Sequence, residues 1–265
     1  MRRLESGTGQ SNGGVWVTAE GHVMKRLVPG VTDVRHHAYW ERQALVAESG
    51  IVAQTPGLRS PRYLDVRRGA DGITMVSEYV EPVPVDAARL AEALGRFARA
   101  GVEEPAWGAR DVLRDRMATV EARGGWKVLW GHVSASLRET LQELWVRRAA
   151  VLAALDELPR VPTHGDAHPG NLLGWDGENV VALDWEQFGL GPAGFDLGYL
   201  VVALPDQAES LLAVDSVVRR GAVLTAVLTA ASRAAWALGQ PERGDHLERL
   251  EALADYIEEA SSQAL

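Results

Sequence analysis

The sequence predicts an α+β protein of two lobes: a small antiparallel β-sheet with one helix, followed by a larger and mostly helical part. Short apolar runs separated by glycine-containing turns occupy the first third of the chain, whereas Ala, Leu, Arg and Glu, which favour helices, dominate the later part. A chain of 265 residues is also close to the size at which a single core stops growing. We therefore expect an N-terminal lobe over residues 1–80 and a C-terminal lobe over residues 81–265.

The first third of the chain predicts the element order β-β-α-β-β. Residues 13–28 read GGVWVTAEGHVMKRLV, two strand-like runs around a turn, which indicates a hairpin with Lys25 in its second strand. A helix capped by Thr32 or Asp33 is expected next and should end near Gly50. After a loop at residues 56–61, RYLDV and GITMVSEYV are two further strand candidates, separated by the strong turn signal RRGADG.

The rest of the chain predicts helices with one β interruption. Residues 86–100 and most of the chain from residue 112 onward have helical composition. The interruption comes at HGDAHPGNLL and VVALDW, whose apolar runs flank turns such as GWDGEN and indicate another hairpin. About three amphipathic helices should follow from Leu197. The segment EPVP, residues 81–84, is the best lobe boundary.

The composition excludes several classes of protein. The formal net charge is −9 at pH 7, so a broad nucleic-acid surface, which needs uncancelled clusters of Lys and Arg, is not expected. The chain has no cysteine, which rules out disulfides and thiolate metal sites. No apolar run approaches the roughly 18 residues of a membrane span. We expect a soluble, cytoplasmic protein with small-molecule partners and with neither nucleic-acid nor membrane partners.

One short stretch concentrates chemically capable side chains. HGDAHPGNLL begins at His164, carries Asp166 and Asn171, and is followed by VVALDW with Asp184. Phosphoryl transfer needs an acceptor hydroxyl aimed in line, a divalent cation on the phosphates and positive charge on the transferred group. In protein kinases four residues separate the catalytic aspartate from the metal-binding asparagine, and a second metal aspartate follows. Asp166, Asn171 and Asp184 have that arrangement, although Asp and Asn also favour ordinary turns.

These motifs resemble those of the aminoglycoside phosphotransferase and choline kinase family, small-molecule kinases with a protein-kinase-like fold. HGDAHPGNLL and LDWE are similar to the family's catalytic loop and metal segment. The resemblance extends over most of the chain, through VMK, ERQAL and FDLGYL. It implies that Asp166 orients the substrate hydroxyl and accepts its proton, and that Asn171 and Asp184 bind Mg²⁺.

The resemblance also implies a nucleotide site in the first lobe. Lys25 would contact the α and β phosphates, and Glu41 on the following helix would form an ion pair with it, although a solvated lysine and a surface glutamate are the simpler interpretation. Glu48 is the rival for Glu41, but it lies near the predicted helix end and outside ERQAL.

Two loops complete the expected nucleotide site for ATP or GTP. The glycine-rich segment SGTGQSNGG, with Ser11 and Asn12, resembles a nucleotide-covering loop, and a disordered N-terminus is the alternative. In SEYV, backbone groups of Glu78 and Val80 would pair with the base, unless SEYV is a strand end without a ligand.

The remaining polar residues of the motifs are expected to support the site. By resemblance His164 holds the catalytic loop by hydrogen bonds, and Asp196 buttresses it from a helix start, where a carboxylate is favourable in any case. No role is assigned to His168. A zinc site would have to use His164, His168 and Asp166, and this metallohydrolase hypothesis leaves Lys25 unexplained.

Two further features bear on the acceptor. Four tryptophans before the catalytic loop could stack on a sugar or a cation, although core packing is the simpler role: Trp107, Trp126, Trp130 and Trp145. Residues 186–265 carry 12 acidic residues against 5 Arg. In the final predicted helix, five carboxylates share one side: Glu248, Glu251, Asp255, Glu258 and Glu259. This acidic stripe is either a solvated face or a wall for a cationic acceptor, with Glu251 and Asp255 as candidate contacts.

The sequence therefore predicts an enzyme, an ATP- or GTP-dependent and Mg²⁺-dependent kinase that phosphorylates a hydroxyl of a small cationic molecule. The acceptor could be an aminoglycoside-like or peptide antibiotic, which would make the protein a resistance enzyme. A metabolic kinase of choline, a sugar or an amino alcohol is the alternative within the class. A non-catalytic pseudokinase is the alternative of another class, and a protein kinase is disfavoured because no activation loop follows Asp184.

Overall fold

The computed structural model describes residues 2–4, 12–241 and 244–263, and for Asn12 and Gln263 it describes the backbone alone. The chain divides into two compact units. The first comprises Met1–Asp111 and Pro162–Leu190, and the second comprises Val112–Val161 and Gly191–Leu265. The expected lobes, a nucleotide-binding one over residues 1–80 and a catalytic and substrate-binding one over residues 81–265, stay a prediction.

The first unit begins with a five-stranded antiparallel sheet. Six strands come first along the chain: β1 (Arg2–Leu4), β2 (Asn12–Val17), β3 (Val23–Leu27), β4 (Leu58–Arg59), β5 (Tyr63–Gly69) and β6 (Gly72–Ser77). All but β4 form the sheet, in the order β1-β2-β3-β6-β5. Both predicted hairpins are confirmed, and Lys25 lies in β3 opposite Val15 and Met75. The short strand β1 was not predicted.

Helix α1 (Arg42–Ser49) covers one face of this sheet. Its Ala44 packs into a core with Leu27, Ile73 and Met75. The helix ends at Gly50, in the left-handed conformation with φ 64°, as the sequence predicted.

The predicted start of α1 at residue 32 or 33 is wrong. Residues 34–41 form turns and one isolated bridge, and the helix begins only at Arg42. The carbonyls of Val34, His36 and His37 accept hydrogen bonds from the Arg42 guanidinium. The His36 carbonyl also accepts from the Tyr39 amide at 3.0 Å, so turns and the guanidinium satisfy this backbone without a further helical turn.

A second, smaller sheet and one helix complete the first unit. Strand β7 (Arg160–Thr163) leads into β8 (Leu172–Trp175) and β9 (Val180–Ala182), which form the expected hairpin. Strand β4 pairs parallel to β9, so the prediction that residues 56–61 are all loop is wrong at Leu58 and Arg59. Helix α2 (Ala87–Ala98) is capped by Asp86, whose carboxylate accepts from the Arg89 amide. Strand β10 (Gly189–Pro192) leaves the unit.

The second unit is helical. Its α-helices are α3 (Val112–Ala122), α4 (Ala135–Val146), α5 (Arg148–Asp156), α6 (Phe195–Ala203), α7 (Ala208–Leu211), α8 (Ser216–Ala237), α9 (His246–Ala252) and α10 (Ala254–Gln263). A 3-10 helix spans Gly125–Gly131. The long helix α8 is central and contacts α6, α9 and α10. Within the described ranges no helix combines the length and the apolar composition needed to cross a membrane.

Two features of the second unit bear on the sequence predictions. Trp126 is fully buried, packs against Trp145 with ring centroids 5.3 Å apart, and donates from Nε1 to Ser232. A core role therefore accounts for Trp126. The sequence predicted one final helix for the acidic stripe, and this is wrong. The helix is interrupted at Leu253, so that α9 and α10 are two separate helices.

Candidate active site

The loop that follows β7 carries Asp166 and is held by His164. The imidazole of His164 is fully buried; its Nε2 lies 2.6 Å from the Leu183 carbonyl oxygen, and its Nδ1 accepts from the Asp166 amide at 3.2 Å. Burial lowers the pKa of His164, although the Leu183 carbonyl opposes the shift. A neutral ring that donates from Nε2 and accepts at Nδ1 satisfies both contacts. His164 thus ties the Asp166 loop to the residue before Asp184.

Gly165 allows this loop to approach the segment after Asp184. Its φ is 89°, and a Cβ there would lie 2.5 Å from the Gln187 carbonyl oxygen. Both the left-handed conformation and the close approach require glycine. The loop position between His164 and Asp166 is therefore dictated by the backbone.

Asn171 lies beside Asp166. Its side-chain nitrogen donates to the Asp166 carbonyl oxygen at 3.0 Å and to the Asp166 carboxylate at 3.4 Å. This orientation leaves the amide oxygen of Asn171 as the atom that can bind a cation. The Asn171 carbonyl oxygen also accepts from the Leu183 amide at 2.8 Å, which brings Asn171 next to the Asp184 segment.

Asp184 has an unusual backbone conformation. Among the described residues other than glycine it is the one with positive φ, at 55° with ψ 55°. Residues in this region are uncommon, and they occur often where a functional side chain must be aimed. Behind it, Trp185 is fully buried, donates from Nε1 to the Ala182 carbonyl at 2.7 Å and packs on the His164 ring. The Asp184 carboxylate is 46% exposed.

Lys25 reaches Asp184 from the large sheet. Its ammonium nitrogen lies 2.5 Å from a carboxylate oxygen of Asp184, and the lysine side chain is only 11% exposed. The structure therefore brings together Lys25, Asp166, Asn171 and Asp184, four residues expected from the sequence, within one unit.

Glu41 does not make the expected contact with Lys25. Its carboxylate forms an ion pair with Arg68 of β5, and Glu48 binds the same guanidinium at 2.9 Å. The physical reason is its position, because Glu41 precedes the first residue of α1 and lies near the Arg68 end of β5. In this structure the partner of Lys25 is Asp184 instead.

Arg42 is a structural residue that the sequence interpretation missed. It is fully buried, and its three guanidinium nitrogens donate to five backbone carbonyls. Three of these belong to residues 34–37, one to Trp107 and one to Glu186, two residues after Asp184. A buried charge of this kind is stable only when every donor is satisfied. Arg42 thereby connects α1 to the Asp184 segment, and an arginine inside ERQAL was the only sequence signal.

Gln43 and Tyr63 were also missed, and their side chains form a hydrogen bond with each other. Gln43 is 6% exposed, and its side-chain oxygen has no hydrogen-bond partner in the described part of the chain. Burial raises the pKa of the Tyr63 phenol; a side-chain hydrogen bond with Gln43 lowers it, and the charge of Asp184 raises it. Tyr63 therefore lies within electrostatic reach of both Gln43 and Asp184.

In the segment after β6, the Glu78 amide donates a hydrogen bond within the protein, whereas the Val80 amide has no acceptor among the described residues. The Glu78 amide donates to the Arg62 carbonyl at 3.0 Å, and the Glu78 carboxylate accepts from the Arg62 amide and pairs with Arg59. The Val80 side chain lies against Gly174, whose added Cβ would come within 2.7 Å of it. Among the described residues the Val80 amide has no acceptor, so it can donate to a ligand.

The remaining residues expected at the site are either outside the described residues or part of the second unit. Ser11 is outside the described residues, and so is the side chain of Asn12, although Asn12 begins β2. Asp196 is buried in the first turn of α6, in the second unit. Glu251 and Asp255 are exposed on α9 and α10 of that unit.

The acidic stripe is divided among different environments. Glu248, Glu251, Asp255 and Glu258 are exposed, whereas Glu259 forms an ion pair with Arg219 at 2.6 Å. The exposed members can attract a cation; Glu259 already has a partner.

The donor atoms near Asp166 suit a hard cation. The carboxylate of Asp184 and the amide oxygen of Asn171 are oxygen ligands of the kind that Mg²⁺ prefers. The zinc alternative does not fit, because both ring nitrogens of His164 are engaged with backbone groups. His168 lies 3.7 Å from the Asp166 carboxylate, and its Nδ1 accepts from the Gly170 amide.

Comparison with known proteins identifies relatives of this arrangement. The model of the phosphotransferase enzyme family (APH) matches residues 2–228. A search of curated proteins finds no match.

Solved structures with the same fold are found as well. A choline/ethanolamine kinase family protein from Mesorhizobium loti is 20% identical, with a TM-score of 0.63 over 100% of this chain and 92% of that one. The choline kinase LicA from Streptococcus pneumoniae is 15% identical, with a TM-score of 0.59 over 98% and 95% of the two chains. An aminoglycoside phosphotransferase from Alicyclobacillus acidocaldarius is 16% identical, with a TM-score of 0.52 over 100% and 91%. At these identities the likeness shows the fold, and it confirms the α+β, protein-kinase-like fold class.

Proposed function

The chain belongs to the phosphotransferase enzyme family and is a small-molecule kinase with a hydroxyl acceptor, and from this premise we propose that it transfers the γ-phosphoryl group of ATP or GTP to a small cationic molecule in a Mg²⁺-dependent reaction. One observation carries the proposal: Asp166, Asn171, Asp184 and Lys25 lie together in the first unit. Three charged groups and one neutral oxygen ligand of this kind are what phosphoryl transfer requires.

Asp166 is the catalytic residue in this proposal. Its carboxylate orients the acceptor hydroxyl and takes its proton as the oxygen attacks the γ-phosphorus. The bond between that phosphorus and the bridging oxygen breaks, and the nucleoside diphosphate leaves with that oxygen. The Asn171 amide, which contacts the same carboxylate at 3.4 Å, restricts its rotation. Positioned proton acceptors of this kind contribute about two to four decades in rate.

Asp184 and Asn171 would hold Mg²⁺, which when bound supplies charge neutralisation between the phosphate oxygens. Lys25 then contributes its ammonium to the phosphates. In this structure the charges of Lys25 and Asp184 neutralise each other. With both ligands bound, Asp184 would face the cation and Lys25 would pair with the phosphates, so each side chain would keep an opposite charge beside it.

The base of the nucleotide is proposed to bind at the segment after β6. The Val80 amide, which has no acceptor among the described residues, would donate to the base, and the Glu78 carbonyl would accept from it. The carboxylate of Glu78 is held by Arg59 and Arg62, which keeps this backbone in place. The choline kinase LicA has been solved with AMP, which supports a nucleotide as co-substrate. The use of ATP or GTP as co-substrate also favours a cytoplasmic location for this protein, because these nucleotides are supplied there.

The acceptor is proposed to be a polyamine-bearing alcohol such as an aminoglycoside-like or peptide antibiotic. The support is charge: four exposed carboxylates of α9 and α10 in a region whose acidic residues exceed its arginines by seven, 12 minus 5. In that case the protein confers antibiotic resistance. The second candidate is a metabolic kinase of choline or another amino alcohol, and it is favoured by the names of two neighbours.

A screen for nucleoside diphosphate release tests the proposal. Purified protein is incubated with Mg²⁺, ATP or GTP, and a panel of hydroxylated antibiotics, sugars and amino alcohols, with the Asp166→Asn variant as the matched control. We expect acceptor-dependent release by the wild type only. A protein that binds Mg-nucleotide but never turns over would support the pseudokinase alternative instead.

A further inference from the structure

Helix α1 carries a buried hydrogen-bond acceptor, the side-chain oxygen of Gln43, that has no donor among the described residues. Gln43, in the first turn of α1, is more than nine-tenths buried, and its side-chain oxygen has no hydrogen-bond partner in the described part of the chain. A buried acceptor without a partner costs about 1–3 kcal/mol. Such a group calls for an explanation, and a partner that arrives only in another state of the protein is one.

The geometry of the sheet directs Lys25 toward the same region. Side chains alternate along a strand, so Lys25 projects from the same face of β3 as Leu27. Leu27 packs against Ala44, the residue after Gln43. The lysine therefore lies under the first part of α1, which agrees with its 11% exposure.

Contacts of α1 with the residues that follow Asp184 agree with this placement. The helix packs against the 3-10 helix Trp185–Gln187 that follows Asp184. Arg42 donates to the Glu186 carbonyl at 2.8 Å. The influence of both Gln43 and Asp184 on the Tyr63 phenol pKa points to one neighbourhood.

The neighbours of Gln43 on the chain are committed elsewhere. The Glu41 carboxylate pairs with Arg68. The Arg42 guanidinium is occupied by five carbonyls. At this end of α1 the unengaged acceptor is therefore the amide oxygen of Gln43.

We propose that Gln43 is the positioning residue for Lys25: its amide oxygen accepts a hydrogen bond from the Lys25 ammonium once Asp184 has turned to Mg²⁺ and nucleotide. This inference rests on the proposed function, and it moves the role expected for Glu41 to Gln43. A neutral amide orients the ammonium without competing with the phosphates for its charge. The lysine keeps its full positive charge for the nucleotide.

The test uses three substitutions in the full-length protein. Gln43→Met keeps the length of the side chain but removes the acceptor oxygen, and Gln43→Glu retains an oxygen at that position. Val46→Ala is the matched control, because Val46 is a buried residue of the same helix with no polar group to offer. Calorimetry with Mg·ADP measures binding independently of turnover, and melting temperatures report on folding.

We expect Gln43→Met to weaken Mg·ADP binding by about ten- to a hundredfold, the range for a hydrogen bond to a charged group. Gln43→Glu should lose clearly less, because it restores an acceptor. Val46→Ala should lower the melting temperature and leave Mg·ADP affinity within about twofold. Equal losses of affinity in Gln43→Met and Val46→Ala would show that Gln43 acts only through the stability of α1, and would overturn the proposal.

A double substitution tests whether Gln43 acts through Lys25. Lys25→Met alone should weaken Mg·ADP binding, and adding Gln43→Met should then cost little more, because the lysine is gone. Losses that add in full would overturn the proposal. Wild-type protein that fails to bind Mg·ADP would refute the proposed function and this inference together. Wild-type binding that is insensitive to Gln43→Met would refute the inference alone.

Discussion

The Lys25 ammonium lies 2.5 Å from an Asp184 carboxylate oxygen, across 159 positions of sequence. The lysine is almost enclosed while the aspartate is nearly half exposed. Solvent or a cation can therefore reach the aspartate, whereas the lysine depends on its partner. The pair therefore places the two charges of the proposed phosphate site in direct contact.

The catalytic prediction concerns Asp166. Asp166→Asn should lower kcat by about two to four decades, because the amide cannot accept the proton of the hydroxyl. Mg·ADP affinity should stay near that of the wild type, since the group acts on the acceptor. Steady-state kinetics and calorimetry measure the two quantities. Wild-type kcat in Asp166→Asn would refute its assignment as proton acceptor.

The metal prediction compares Asp184 and Asn171 in their contribution to Mg²⁺-dependent nucleotide binding. Asp184→Ala should reduce Mg²⁺-dependent nucleotide binding more than Asn171→Ala does, because a carboxylate is the stronger ligand for a hard cation. Calorimetry with nucleotide, with and without Mg²⁺, measures both losses. Undiminished Mg·ATP affinity in both variants would contradict the proposed metal site. A larger loss in Asn171→Ala would reverse the assigned ranking.

The stability prediction concerns Arg42. Arg42→Met should lower the free energy of unfolding by about 3–5 kcal/mol, because several buried carbonyls lose their donor. Arg42→Lys should recover only part of the loss, since an ammonium lacks the planar fork of five donors. Denaturant unfolding gives both values.

The matched control for Arg42 is Arg62→Met. The Arg62 side chain is 75% exposed, so its removal should change stability by less than about 0.5 kcal/mol. Equal losses in the two variants would mean that the five hydrogen bonds of Arg42 contribute no particular stability.

The pH prediction concerns His164. Burial lowers its pKa in the folded protein, whereas the unfolded chain has the ordinary value of about 6.5. The unfolded state then binds more protons, so the contribution is complete above pH 6.5 and is lost as the pH falls below that value. The free energy of unfolding should fall more steeply between pH 7 and 5 in the wild type than in His164→Gln. Parallel curves would contradict a neutral, buried His164. The other histidines contribute equally to the pH dependence of the wild type and of His164→Gln, so the difference between the two curves reports on His164.

The acceptor prediction concerns charge. Glu251→Gln with Asp255→Asn should raise KM for a cationic acceptor and leave KM for nucleotide nearly unchanged. Added salt should have the same selective effect, because it screens the field of exposed carboxylates. Glu139→Gln, on exposed α4 surface, is the control for a general charge effect. A neutral acceptor whose KM does not depend on salt would refute the prediction.

Local patterns in the sequence determined the hairpins and the loop that carries Asp166 and Asn171. The turns of residues 13–28 and 63–77 use glycine and short alternating strands, and both hairpins form as expected. The spacing of Asp166 and Asn171 places both side chains in one tight loop. These features were predictable because turn conformation and side-chain alternation depend on neighbours in the chain.

Tertiary packing decided the partners of the charged residues. Glu41 pairs with Arg68, Lys25 pairs with Asp184, and Arg42 gathers carbonyls from three separate segments. The carbonyls of Val34 and His37, which precede α1, accept hydrogen bonds from the Arg42 guanidinium. Such contacts join residues far apart in sequence, and only the folded chain fixes the distances and the burial that select one partner among many charges of the right sign.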